Sequence, residues 1–137
     1  MTENVIPRKY NYNLETGTVG TDDEDIANIL YNTNCMEMKA SYEADDLDDM
    51  RMAFGESFSM VTEAAEHLNH FIETHKEKLQ TDVVNIALLS LSEAVIILDD
   101  VAPPQTDMEL MSRSMKKAYQ KMLSAVPSLL QLEEQSL

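Results

Sequence analysis

The strongest pattern in the sequence is a long amphipathic stretch that is followed, after one break, by a stretch that is apolar on nearly every side. In the first stretch, apolar positions recur at alternating steps of three and four residues, the spacing of helices that pack lengthwise on a partner. This seam consists of Phe58, Val61, Ala65, Leu68, Ile72, His75 and Leu79. A helix that is apolar all round is typical of a buried helix. The pattern therefore predicts a helical hairpin over about 45–79 and 82–98, with the seam as an oligomer interface.

The first helix of this hairpin is predicted to be much longer than the second. We expect it to begin between 41 and 46. The aspartates at 45, 46, 48 and 49 would then lie in its first turns, where carboxylates stabilise a helix. At about 1.5 Å per residue, a helix over 46–79 is roughly 50 Å long, whereas one over 82–98 is about 25 Å long. The first half of the long helix, with Phe54 and Phe58, thus lacks a partner in the hairpin, which favours a homo-oligomer.

A shorter helix is predicted before the hairpin. Residues 1–20 show no sustained period and are interpreted as a flexible arm. Thr21 and Glu24 have the spacing of a capping box, so a short helix is expected to follow. The Asn-Thr-Asn sequence at 32–34 is expected to end it.

A further helix is predicted after the hairpin. Thr106 and Glu109 form a second capping box. The apolar face behind it carries Met108, Met111, Met115 and Met122. Pro127 is expected to stop this helix, which leaves 127–137 as a short C-terminal helix or tail. Because no segment alternates like a strand, the predicted fold class is all-α, with a single helical domain over 21–126.

The composition limits the functions that this chain can have. It has 137 residues, 44% of them apolar, with ten basic and 25 acidic side chains and a net charge of −15. Such a surface repels nucleic acid and anionic lipid, so a charged partner is expected to be basic. Cys35 is the single cysteine, which indicates a reducing compartment. The N-terminus has no signal pattern and the apolar run 83–98 is short for a bilayer span, so we expect a cytoplasmic protein without a membrane partner.

Acidic residues are concentrated between 22 and 49, where Lys39 is the one basic residue. The candidate partner-binding residues are Asp22, Asp23, Glu24, Asp25, Asp45, Asp46, Asp48 and Asp49. They would suit a basic protein surface. The alternative is that they are only the solvated entry turns of two helices.

Candidate residues for chemistry are scarce. Glu63, His67 and His70 have a spacing that could place ligands on one helical face, but they lie outside the seam and lack a second ligand set. We therefore expect surface histidines and no metal, and His75 on the seam is expected to be a core or interface residue. No phosphate-binding loop, nucleophile motif or cysteine–histidine pairing is present, so no catalytic residue, cofactor or enzymatic activity is predicted.

Positive charge is concentrated on the helix after 106. Its basic residues are Arg113, Lys116, Lys117 and Lys121. They are candidates for nucleic-acid contacts, and the alternative is that they complement the helix dipole.

The hairpin resembles a known family. Residues 45–98, with the entry Asp45-Asp46-Leu47-Asp48-Asp49-Met50-Arg51, a long first helix and a short break, are similar to the central hairpin of the small terminase subunits of tailed phages. The resemblance implies rings of hairpins whose flanking segments engage DNA and the packaging motor, in the host cytoplasm.

The sequence thus favours a non-enzymatic, acidic helical protein that self-associates and acts by binding another protein. One alternative is a small terminase subunit, a DNA-packaging component. Another is an acidic inhibitor that occupies the basic channel of a nucleic-acid-binding enzyme.

Overall fold

A computed structural model describes the backbone of 12–13 and 18–19 and all of 23–101 and 106–137. The described elements are β1 (Tyr12–Asn13), β2 (Thr18–Val19), α1 (Glu24–Ala40), α2 (Leu47–His75), α3 (Thr81–Asp99) and α4 (Met108–Ser136). The all-α class and the hairpin of α2 and α3 are confirmed. The sequence did not predict the antiparallel pair of β1 and β2, because strands of two residues are too short to show an alternating pattern.

Three of the helices begin at an aspartate. Asp23, Asp46 and Asp107 each accept a hydrogen bond from the backbone amide three residues further on, at 2.8 to 3.1 Å. A carboxylate at this position satisfies a free amide and complements the helix dipole. The cap of α4 is thus Asp107 and not Thr106, and the expected cap at Thr21 lies outside the described residues.

The prediction that the first helix ends at 32–34 is wrong, because α1 continues to Ala40. Asn32 is held inside the helix by its side-chain amide, which donates to the Met60 carbonyl at 3.1 Å and to a Glu63 carboxylate oxygen at 3.0 Å. The Thr33 hydroxyl donates to a carbonyl of its own helix. Acceptors on α2 and within α1 therefore satisfy polar groups that would otherwise end a helix.

The prediction that Pro127 stops the last helix is also wrong, because α4 runs through it to Ser136. Pro127 itself is exposed, but Val126, Leu129 and Leu132 around it are fully buried. Burial on both sides of the proline compensates for the hydrogen bond that its missing N–H cannot make. Residues 127–137 are consequently the end of a core helix and not a separate tail.

Side-chain contacts show that sequential helices run antiparallel. The backbone amide of Gln80, just before α3, donates to Gln135 near the end of α4, and further along α3 Glu93 pairs with Lys121. Residue numbers thus rise on α3 as they fall on α4.

The helices α1 and α2 are also antiparallel. Asp25 near the start of α1 contacts His67 of α2, and Lys39 near the end of α1 contacts Glu56, which lies earlier on α2.

These helices form an up-down-up-down bundle with unequal diagonals. The Ser57 hydroxyl of α2 lies 3.2 Å from the Met115 sulfur of α4, so these two helices meet across the core. Among the described residues, α1 and α3 make no contact with each other. The helices α1 and α3 therefore occupy opposite corners of the bundle.

The α2 seam faces the chain's own core. Val61 and Leu68 are fully buried, while Phe58, Ile72 and Leu79 are half-buried against the core. Ala65 and His75 are also half-buried. The first half of α2, which was predicted to lack a partner from the hairpin, is covered by α1 and α4 instead. The sequence pattern could not reveal this, because it did not show how far α1 and α4 extend.

The expectation that the second hairpin helix is buried on all sides is wrong as well. The buried residues of α3 form one stripe: Val83, Ala87, Leu91, Ala94 and Leu98. On the opposite side, Ile86, Leu89 and Ile96 are 54%, 60% and 56% exposed; we call these three residues the outer face of α3. Within the described part of the chain, α3 is the one helix whose length and apolar composition would allow it to cross a membrane. Core helices of soluble proteins can have the same length and composition.

Candidate functional site

A cluster of histidines and aspartates joins α2 to the first turn of α1. The Nδ1 atoms of His67 and His70 lie 2.9 and 2.6 Å from the two carboxylate oxygens of Asp25. One turn further along α2, His75 Nε2 lies 3.4 Å from a carboxylate oxygen of Asp23. All three histidines of the chain thus face acidic residues at the start of α1. The sequence predicted surface histidines at 67 and 70 and a core or interface histidine at 75, and it did not predict these contacts.

The electrostatics of this cluster follow from its geometry. Burial acts to raise the pKa of the Asp25 carboxyl, but hydrogen bonds to His70 and His67 outweigh burial and hold that pKa below its usual value. The hydrogen bond to Asp25 raises the pKa of His70, and the charges of Asp25, Asp23 and Glu24 raise it further. Each group thus favours the charged form of the other. In this geometry the cluster holds α1 and α2 together by electrostatic attraction.

The same region of the structure does not assemble ligands for a metal. Within the described ranges, no group of three or more histidine, cysteine, aspartate or glutamate side chains is arranged to hold an ion. Glu63, the third member of the predicted spacing, accepts a hydrogen bond from Asn32 instead.

A shallow groove between α1 and α2 has a mostly apolar lining. It has a volume of about 360 Å³ and is lined by Cys35, Met38, Lys39, Tyr42 and Met60, residues that we call the α1–α2 groove. Met38 and Tyr42 are 59% and 42% exposed. A second cavity of about 450 Å³ shares Met60 and continues along α2. The two cavities adjoin at Met60, and the second has a more polar lining than the first.

Carboxylates surround this groove. The second cavity is lined by Glu56 and Glu63, and Glu56 also pairs with Lys39. At the other end, the Tyr42 hydroxyl donates to both carboxylate oxygens of Asp49, at 2.8 and 2.9 Å. This hydrogen bond, with the negative charges of nearby acidic residues, raises the pKa of Tyr42. The groove therefore has an apolar floor in a negative electrostatic field.

The structure divides the predicted acidic residues into separate groups. Asp23 and Asp25 belong to the histidine cluster, and Asp46 caps α2. Asp49 lies at the end of the groove, and its carboxylate also accepts from the Asp45 amide. Glu24, Asp45 and Asp48 are exposed, and Asp22 lies outside the described residues. A single continuous acidic surface is therefore not formed by the described members of this set.

Two of the four basic residues of α4 are paired with glutamates. Lys121 pairs with Glu93 at 2.9 Å, and Arg113 lies 3.8 Å from Glu109. Lys116 and Lys117 follow Arg113 at three and four residues, so they lie on neighbouring parts of the helix surface. The four candidate nucleic-acid contacts are thus partly neutralised.

No protein-family model matches the chain, and no curated protein or solved structure is significantly similar to it. The resemblance to small terminase subunits therefore rests on the sequence pattern alone.

Sequence reasoning did not identify the α1–α2 groove. Cys35, Met38 and Tyr42 recur at steps of three and four residues, which is a readable helical stripe. The predicted end of the first helix at 32–34 placed them outside any helix and concealed that stripe. Met60 belongs to a different helix, and only the packing of α1 on α2 brings it to the others.

Proposed function

We propose that this chain is a non-enzymatic helical bundle that acts by binding another protein in the α1–α2 groove. The observation that carries the proposal is the coincidence of exposed Met38 and Tyr42 with a groove surrounded by carboxylates. Unbranched, polarizable methionine side chains adapt to the shape of a partner. A shallow groove with a mostly apolar lining fits a helix that presents an apolar face.

The charge around the groove specifies the chemistry of its partner. Glu56, Glu63 and Asp49 would oppose lysine or arginine residues that flank the apolar face of the incoming helix. The occupant is therefore a basic amphipathic helix of a second protein. The net charge of −15 would accelerate encounter with such a partner and repel acidic proteins.

The test is an anisotropy titration of the full-length chain with a labelled peptide that has one leucine-rich and one lysine-rich helical face. We expect saturable binding that Met38→Asp weakens about tenfold or more, a loss of about 1.4 kcal/mol. Leu89→Asp, at the opposite corner of the bundle, is the matched control and should bind normally. A scrambled peptide of the same composition separates groove binding from simple charge attraction. Equal affinity of the two variants for the amphipathic peptide would contradict the proposal.

A further inference from the structure

An ion pair crosses from α1 to α2 close to the place where the two cavities adjoin. Lys39 lines the α1–α2 groove and pairs with Glu56, which lines the second cavity, and Met60 is common to both linings. The two charged side chains come from different helices, so the pair spans the gap between them. A partner helix that lies along both cavities therefore meets this ion pair.

The ion pair is open to solvent, and more so on its acidic side. The side chain of Lys39 is 24% exposed, whereas that of Glu56 is 53% exposed. Ion pairs with so much contact with water add little to the stability of a folded chain, because the attraction is screened and both side chains lose conformational freedom. Lys39 can thus leave Glu56 at small cost, and the carboxylate is accessible to a second cation.

Lys39 supplies the positive charge of this site. Among the described residues that line the two cavities, it is the one cation. Its charge also reaches the Tyr42 end of the groove. Hydrogen bonds from the Asp45 amide and the Tyr42 hydroxyl lower the pKa of the Asp49 carboxyl, and the charge of Lys39 lowers that pKa further. Lys39 is therefore the chain's own counter-charge at the position where a cation of the partner would lie.

We propose that Lys39 is an intramolecular competitor for the basic residue of the partner: it occupies Glu56 in the free chain and is displaced when the partner helix docks. The inference rests on the proposed function of the groove and adds how that site discriminates. Because Glu56 is neutralised in both states, the partner's cation gains little by the exchange. The apolar contact with Met38 and Met60 then decides the affinity, and positive charge alone is not sufficient for binding.

The test is the anisotropy titration of the full-length chain with the basic amphipathic peptide, repeated on Lys39→Met. Methionine keeps an unbranched apolar side chain and removes the charge. We expect the dissociation constant to fall about two- to fivefold, the range that a solvent-exposed ion pair contributes. Lys76→Met is the matched control, because it removes the same charge and breaks an exposed pair with Glu73, roughly 30 Å along α2 from Glu56. It should leave the affinity nearly unchanged.

Two further measurements separate the displacement of Lys39 from a general gain in apolar contact. Against a peptide in which glutamine replaces the lysines, Lys39→Met should bring no comparable gain, because no cation competes for Glu56. In a chain that carries Glu56→Gln, Lys39→Met should likewise lose its effect on the affinity for the lysine peptide. Circular dichroism checks that each variant keeps its helicity.

The outcomes distinguish this inference from the proposed function of the groove. If Met38→Asp does not weaken binding of the lysine peptide, both fail. If Met38→Asp weakens binding but Lys39→Met leaves the affinity unchanged or lowers it, the groove remains the binding site and Lys39 is not a competitor. A gain of the same size with the glutamine peptide, or in the Glu56→Gln chain, would also overturn the competitor role, because it would then come from apolar contact.

Discussion

At the scale of single residues, the histidine–aspartate cluster shows how this acidic chain uses its few proton-binding groups. Asp25 is shared by two histidines of α2, so one carboxylate fixes both the start of α1 and the middle of a neighbouring helix. The backbone amide of Asp23 donates to the buried carboxylate of Glu133, at 3.2 Å, which adds α4 to the same junction. Three helices thus meet at this junction. Protonation of Asp25 or His70 changes the energy of the contact between α1 and α2.

This junction predicts a pH-dependent stability. The pKa of His70 is raised in the folded chain, so its contribution is fully present below the ordinary histidine value of about 6.5 and is lost as pH rises through the raised pKa. The pKa of Asp25 is lowered, so its contribution persists above about 3.9 and is lost only as pH falls through the lowered pKa.

We therefore expect the unmodified chain to be more stable than His70→Gln near pH 5.5, and this difference to shrink by about pH 9. Urea unfolding of both chains at the two pH values measures it. Asp25→Asn is the matched variant and should remove the same pH-dependent advantage. A difference in unfolding free energy that does not change between the two pH values would show that the contact does not depend on charge.

At the scale of helices, the hydrophobic pattern predicted the features that depend on a single helix and missed those that depend on contacts between two helices. The break between α2 and α3 and the greater length of α2 were predicted from the local pattern and are confirmed, although α2 ends at His75 and not at 79. The continuation of α1 depends on Asn32 finding acceptors on α2, and the continuation of α4 depends on burial around Pro127. Such tertiary compensation cannot be seen in a local pattern. For the same reason, the sequence could not show that Met38 of α1 and Met60 of α2 line the same groove.

Pro127 provides a direct test of this compensation. Because α4 is helical on both sides of an exposed proline, Pro127→Ala should restore the hydrogen bond to the Leu123 carbonyl and raise helix propensity. We expect the free energy of unfolding to rise by about 1–3 kcal/mol, as judged by urea denaturation.

Gln131→Ala, also exposed and one turn further along, is the control and should change stability by no more than about 0.5 kcal/mol. If Pro127→Ala instead lowered stability, the proline ring would have to contribute packing that outweighs its missing donor.

At the scale of the whole molecule, the unequal diagonals of the bundle separate the α1–α2 groove from the outer face of α3. The α1–α2 groove has carboxylates around it, whereas the outer face of α3 is apolar and its helix is tied to α4 by the ion pair of Glu93 and Lys121. Because α1 and α3 lie at opposite corners, the outer face of α3 is remote from α1 and a substitution there should leave the groove unchanged.

The same charge distribution determines how the chain behaves towards nucleic acid. Lys121 and Arg113 are paired with glutamates, which leaves Lys116 and Lys117 without an ion pair among the described residues. Phosphate contacts by so few groups weaken further as salt rises, while the net charge of −15 repels the DNA backbone. A packaging component would need its basic residues to converge across subunits.

We therefore expect no saturable submicromolar binding of the full-length chain to duplex DNA at about 150 mM salt. An anisotropy titration with a labelled duplex measures this, and the basic peptide that fits the groove serves as a positive control in the same buffer. The informative variant neutralises Arg113, Lys116, Lys117 and Lys121 together. Tight duplex binding that this variant abolishes would favour the DNA-packaging function over protein binding, because it would require those four side chains to act on phosphates despite the field of the whole molecule.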